Sequence, residues 1–258
     1  MTDLYIDALA IAVRAQPRLQ PSAGLPVRDE RRRMAAMIAR NRGIPAERMS
    51  VRQPLPGNLA DAEDYAITSR ALDALGRPDH DQPLFLVRSG PVTDPMTAPL
   101  AATLHAVGWT GDDMGVSHLE EQGGTQVFSL LGWAVPENRC ATVVIVDDPA
   151  YVDEQTEKPT FAAVALRLAR TGALRVVASG EVALEARALP RAARHAHALS
   201  GPGACDAWLD LHAALSSGTV SRGEFVLLRT IGDECQGSLL LEAVRPHELM
   251  MTRVPLED

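Results

Sequence analysis

Four groups of residues carry side chains of the kinds that do chemistry. His118, Glu120, Glu121 and Gln122 crowd one short stretch, and a histidine beside carboxylates has the parts for general acid–base work. Cys205 precedes Asp206, with His195 and His197 a few residues upstream. A thiol at a helix start is a candidate nucleophile, because the helix dipole favours the thiolate; the commoner arrangement is a small buried cysteine before a capping Asp. Asp147, Asp148, Asp153 and Glu154 offer oxygen ligands, but their spacing matches no cation loop, so they read as a solvated loop and no metal is expected. Arg28, Arg31, Arg32, Arg33, Arg40 and Arg42 form the one basic cluster, suited to an acidic carrier protein or a coenzyme A phosphate. Interleaved Asp29 and Glu30 also fit a plain hydrated helix face.

These groups hang on alternating elements. Asn58 to Gly76 reads as a helix, with Leu59, Ala62, Ala66, Leu72 and Leu75 favouring one face and Gly76 and Pro78 ending it. Leu84–Val87 is a short apolar strand, Ala98–Val107 a second helix stopped by Gly108, and Met114–Ser117 the next strand. After Gly123-Gly124 comes a helix over Thr125–Ala134, then the β-branched run Ala141–Val146, expected to be a central strand covered on both faces. Strands follow at Phe161–Leu168 and Leu174–Ser179. Beyond a weakly periodic stretch, Glu181–Gly203, the sequence predicts a helix over Asp206–Ser217 and two final strands, Phe225–Arg229 and Ser238–Glu242.

Composition narrows the partners. The 258 residues carry 25 Lys plus Arg against 33 Asp plus Glu, a formal charge of −8, and 46% are hydrophobic. A buried core is expected, and a nucleic-acid groove is not, since phosphate binding needs a concentrated positive footprint. No stretch approaches the roughly 20 apolar residues that span a bilayer. The apolar start, Ala8–Val13, follows Asp3 and Asp7 instead of a basic region, so a cytoplasmic protein is expected. Cys140, Cys205 and Cys235 fit neither a disulfide framework nor a metal clip.

The order of elements resembles the amino-terminal half of thiolase-fold condensing enzymes, nearest to the ketoacyl-carrier-protein synthase III branch. That family's strand of the type D-x-x-x-V-x-S-x-T-x-P-D is similar to Pro83–Pro95, and its nucleophile elbow, Q-G-C-x-x-x-x-x-L-x-x-A, to Gln122–Ala134. The strand LVV-x-x-E/D resembles Val143–Asp148, and the closing Gly-x-x-x-Gly-Asp-x-Val-Leu-Leu resembles Ser217–Leu228, followed by Gly232 and Gly237. The resemblance implies an α/β fold of thiolase-like mixed-sheet layers, with a complete amino-terminal half over 1–180 and a shortened carboxy-terminal half over 181–258.

Two departures matter more than the matches. The family's nucleophilic cysteine falls on Gly124, which has nothing to acylate. Family members are also longer, and the missing portion lies between the Leu174–Ser179 strand and the Ser200–Asp206 turn, where the catalytic histidine belongs. Neither His195 nor His197 falls on its motif, and the asparagine motif is replaced by Ser200–Asp206. The resemblance therefore implies a non-catalytic subunit paired with a full-length synthase III-like homologue or with itself, serving acyl or polyketide-type biosynthesis, with no cofactor. Val116, Leu119, Gln122 and Val127 are the expected interface, and Arg31, Arg32 and Arg33 the expected contact for acyl carrier protein or coenzyme A. Two alternatives stay open: an acyltransferase or thioesterase-type enzyme rebuilt around His118 and Glu120 or around Cys205, and a homodimeric carrier-protein scaffold.

Overall fold

The computed structural model describes residues 3–14, 18–53, 59–90, 99–117, 119–135, 140–153, 160–180, 195–231 and 236–256. In chain order its strands are β1 (Leu4–Arg14), β2 (Leu19–Pro21), β3 (Met49–Arg52), β4 (Leu84–Arg88), β5 (Asp113–Val116), β6 (Ala141–Asp147), β7 (Tyr151–Asp153), β8 (Ala162–Ala169), β9 (Leu174–Gly180), β10 (His197–Gly201), β11 (Phe225–Ile231), β12 (Gln236–Ala243) and β13 (Met250–Leu256). The helices are α1 (Glu30–Asn41), α2 (Leu59–Leu75), α3 (Pro99–Val107), α4 (Gly123–Ala134) and α5 (Asp206–Ser216). No helix among the described residues is long and apolar enough to cross a membrane.

Every residue of β6 is buried, as its β-branched run requires. It pairs in parallel with β4 and antiparallel with β8, and the path through the large sheet runs β10-β11-β12-β9-β1-β8-β6-β4-β5. The alternation along β1 sets the layers. Ala8, Ala10 and Ala12 face a cluster with Ile67, Ala71 and Leu72 of α2, where small side chains let the helix lie close to the sheet. Leu9 and Ile11, together with Ile6 beyond the irregularity between Ile6 and Ala8, point the other way, into a core shared with Phe128 and Leu131 of α4, Trp208 and Leu211 of α5, and Leu228, Leu239 and Leu241 of β11 and β12. Helices α4 and α5 thus pack between the two parts of the sheet. A three-stranded sheet, β2-β3-β7, carries α1 beside it.

The path contains an internal repeat. Helix α4, strand β6 and antiparallel strand β8, laid beside β1, are matched by α5, β11 and antiparallel β12, laid beside β9. The strand leading into each helix differs in place: β5 is separated from β6 by β4, whereas β10 bonds directly to β11. Among the described residues, the second copy is one strand short.

Strand β13 corrects the expectation that Ser238–Glu242 is last. Beyond the residues where β9 pairs with Leu4–Ile6, the same flank of β1 is free over Ala8–Arg14, and β13 pairs there in parallel. Its sequence shows no apolar alternation and includes Pro255, which a sheet tolerates in a strand at its edge.

Candidate functional site

The sequence resemblance points to the start of α4, and there the chain is closed by backbone on several sides. A 3₁₀ turn, Glu120–Gln122, leads into a helix that begins at Gly123, two residues before the predicted Thr125. Gly124 is buried, and a Cβ added to it would lie 1.9 Å from the Ala204 carbonyl oxygen and 2.9 Å from its carbonyl carbon. No side chain fits in that space. The carbonyl of Gly124 accepts a hydrogen bond from Trp208 Nε1 at 2.8 Å, and the Trp208 ring stacks on Phe128 with centroids 5.7 Å apart. On the next residue, Thr125 Oγ1 lies 2.8 Å from Thr230 Oγ1, and a Cβ on Gly237 would come within 2.1 Å of it. The turn before α5 and the β11–β12 pair therefore seal the position where the resemblance puts a nucleophile.

Beside this closure lie two carboxylates. Asp147, the last residue of β6, is only 6% exposed; its Oδ1 accepts from Ser89 Oγ at 2.9 Å, and the Cys205 backbone N–H donates to the same carboxylate. Burial pushes its pKa up to about 7, and the negative charges of Asp206 and Glu121 push the same way against those two hydrogen bonds. Asp206 is the first residue of α5, not its cap: its Oδ2 reaches back to accept from the Gly203 N–H at 2.8 Å.

The expectation of a solvated acidic loop is overturned. Asp148 is 4% exposed and forms ion pairs with Arg52 and Arg14, the latter at 3.7 Å, while Asp153 accepts from Arg48 Nε at 3.0 Å. Buried carboxylates need partners, and these arginines come from β1, β3 and the turn before β3, far away in sequence. Glu154 lies outside the described residues.

The other expected residues disperse. Cys205 is fully buried, its thiol donating to the carbonyls of Ile145 and Ala162 at 3.5 Å each, and burial, reinforced by Asp147 and Asp206, drives its pKa well above the ordinary thiol value. Such a thiol stays protonated and out of reach of a substrate. His197 faces Glu224 at 3.3 Å, and His195 is exposed. His118 and the Glu120 side chain lie outside the described residues.

Val116 and Leu119 are half-buried against the main core, and half-buried Gln122 bonds Gln126. Val127 corrects the interface expectation: it is wholly buried among Phe128 and Leu131 and presents nothing to a partner. In the basic cluster, Arg31 clasps Asp29 with two hydrogen bonds of 3.1 and 2.7 Å, and Arg32 donates to the Leu25 carbonyl at 2.8 Å, leaving Arg33 exposed with Arg28, Arg40 and Arg42. No group of three or more potential metal ligands occurs among the described residues.

Sequence reasoning missed Ser89 and the burial of Asp147. One signal was available: both sit at the carboxyl ends of adjacent parallel strands, where open α/β sheets gather their functional groups.

No family model and no curated protein matches the sequence. Solved structures do. ChlB3, described as an acyltransferase, superposes with a TM-score of 0.61 at 14% identity, over 95% of this chain and 99% of its own. An HMG-CoA synthase complexed with CoA gives 0.62 at 9% identity, over 96% of this chain and 84% of its own. A variant of OleA from Xanthomonas campestris gives 0.54 at 12% identity, over 93% and 98%. The chain has the thiolase-like fold. At these identities the likeness fixes architecture alone, and it agrees with the mixed sheet and the central helix pair. Within that thiolase-like frame, Gly124 stands at the start of a helix packed between the two parts of the sheet.

Proposed function

We propose that this chain is a non-catalytic ketosynthase-like subunit that pairs with an active ketoacyl synthase III-like enzyme in acyl or polyketide-type biosynthesis. The observation that carries the reading is the closure at Gly124. The position lacks a nucleophile and is filled by the Ala204 backbone, so neither a thiol nor an acyl group has room there. Covalent acyl transfer needs an accessible, activated nucleophile, and Cys205 is neither. Pairing draws support from β5, an edge strand whose described neighbour is β4 alone, with Met114 44% exposed. Exposed edges of this kind are covered in stable proteins.

The test has two arms. Intact-mass measurement after incubation with acyl-CoA or acyl-carrier protein should show no adduct; a stable adduct sinks the reading and promotes an enzyme with a rebuilt site. Co-expression with a full-length ketoacyl synthase III-like homologue from the same source should yield a stable complex. Light scattering that finds a homodimer and no such complex would favour the carrier-protein scaffold instead.

A further inference from the structure

Gly203 is the meeting point of two carboxylates from different halves of the fold. A Cβ placed on it would lie 2.2 Å from Asp147 Oδ2 and 3.1 Å from Asp206 Oδ2. Asp147 ends β6 in the first half of the repeat; Asp206 begins α5 in the second. Around Asp147 stand Ser89 from the end of β4, the Cys205 N–H and its buried thiol from the turn before α5, Asp206 from α5 itself, and Glu121 from the turn before α4. Asp148, next along the chain, is engaged with Arg14 and Arg52. The charges that act on Asp147 are thus negative ones. Burial makes the ionised form of Asp147 costly and the neighbouring Asp206 charge adds to that cost, whereas a proton on Asp147 removes both.

The turn they hold covers something specific. Ala204 lies on Gly124, and Trp208, one helical turn on, is hydrogen-bonded to the Gly124 carbonyl. Lifting Gly203–Cys205 therefore uncovers the start of α4.

We propose that Asp147, meeting Asp206 at Gly203, is a proton-dependent latch between the two halves of the fold: protonated, it holds the Gly203–Cys205 turn down over Gly124; when the proton leaves to water, the turn and the first residues of α5 loosen. The working range follows from the Asp147 pKa of about 7 when closed, against an ordinary exposed carboxyl near 3.9 when open. Opening then grows by up to about tenfold per pH unit between these values and levels off above the higher one.

Hydrogen exchange read by mass spectrometry on the full-length protein tests this, with rates corrected for intrinsic exchange between pH 5 and 8. The peptide covering Ala204–Leu209 should lose protection steeply up to about pH 7 and then level off, while always exchanging faster than β6. The Asp147→Asn variant should be flat. A flat wild type, an Asp147→Asn variant that keeps the slope, or a peptide that exchanges only together with β6 would each overturn the latch. Should Asp147→Asn fail to fold, Asp206→Asn serves: it retains an oxygen for the Gly203 N–H, removes the nearest like charge, and should move the levelling point to lower pH. An unmoved levelling point refutes the proposal.

Discussion

Replacing Gly124 by alanine asks whether the closed position is built or incidental. The added methyl would sit 1.9 Å from the Ala204 oxygen, well inside van der Waals contact and against backbone, so a side-chain rotation cannot relieve it. Either α4 or the turn before α5 must move. Overpacking of this sort costs about 1–3 kcal/mol, and if the turn lifts, the Trp208–Gly124 hydrogen bond is lost, adding about 1–3 kcal/mol for buried groups left unpaired. Alanine's better helix propensity returns about 1 kcal/mol. The net expectation is a loss of about 1–5 kcal/mol. Gly132, in the same helix, is the internal control: a Cβ there meets nothing within 4 Å, so Gly132→Ala should stabilise by up to about 1 kcal/mol. Urea unfolding of both variants, followed by circular dichroism and compared at constant slope, decides the matter. If Gly124→Ala equals or exceeds wild type in stability, the closure is not real and the main argument against a nucleophile at this position falls with it. Gly124→Cys should be destabilised at least as much and should not gain malonyl-dependent chain extension.

The proton retained by Asp147 makes global stability depend on pH: its contribution is fully present below about pH 4 and is lost as pH rises through about 7, amounting to about 4 kcal/mol at the limit, and Asp147→Asn should flatten that slope in unfolding titrations. Arg52→Ala leaves the buried Asp148 with only the longer pairing to Arg14 and should cost up to about 3–5 kcal/mol, partly recovered by adding Asp148→Asn, as a double-mutant cycle in urea would measure. In the native protein a thiol reagent should modify exposed Cys140 and spare Cys205, with peptide mapping as the readout; modification of native Cys205 would contradict its burial. Met114→Arg should weaken assembly through the β5 edge, seen as a drop in mass by light scattering with the circular dichroism spectrum unchanged, since that side chain is exposed in the single chain.

What the sequence made legible was set by local signals. Helix α2 appears at Leu59–Leu75 and α5 at Asp206–Ser216, within a residue or two of the apolar periodicity and the glycine stops that announce them. Strand β6 is declared by its own β-branched run. By contrast β13 depends on a flank of β1 left free by β9, and no feature of Met250–Leu256 announces that vacancy. The acidic pair at 147 and 148 misled for a similar reason. Aspartates at a strand end ordinarily face water, and only the fold brings Arg14, Arg52 and Ser89 to them. Gly124 was visible as an anomaly within a resemblance, but the Ala204 carbonyl that makes it obligatory lies eighty residues on.

The closed position lies beside the part of the fold where, among the described residues, the second copy of the repeat has one strand fewer than the first. In the first half β4 stands between β6 and β5, the strand that leads into α4. In the second half β10 bonds directly to β11, so the strand leading into α5 sits one strand spacing, about 4.8 Å, nearer the strand that follows its helix than β5 does in the first half. The turn at Gly201–Cys205 follows β10 directly, and it lays Ala204 against α4 and Gly203 between Asp147 and Asp206. A side chain at 124 would have to displace backbone, and glycine is the residue that avoids the collision. A nucleophile placed at 124 therefore takes more than a substitution: the Ala204 backbone would have to move to make room for it.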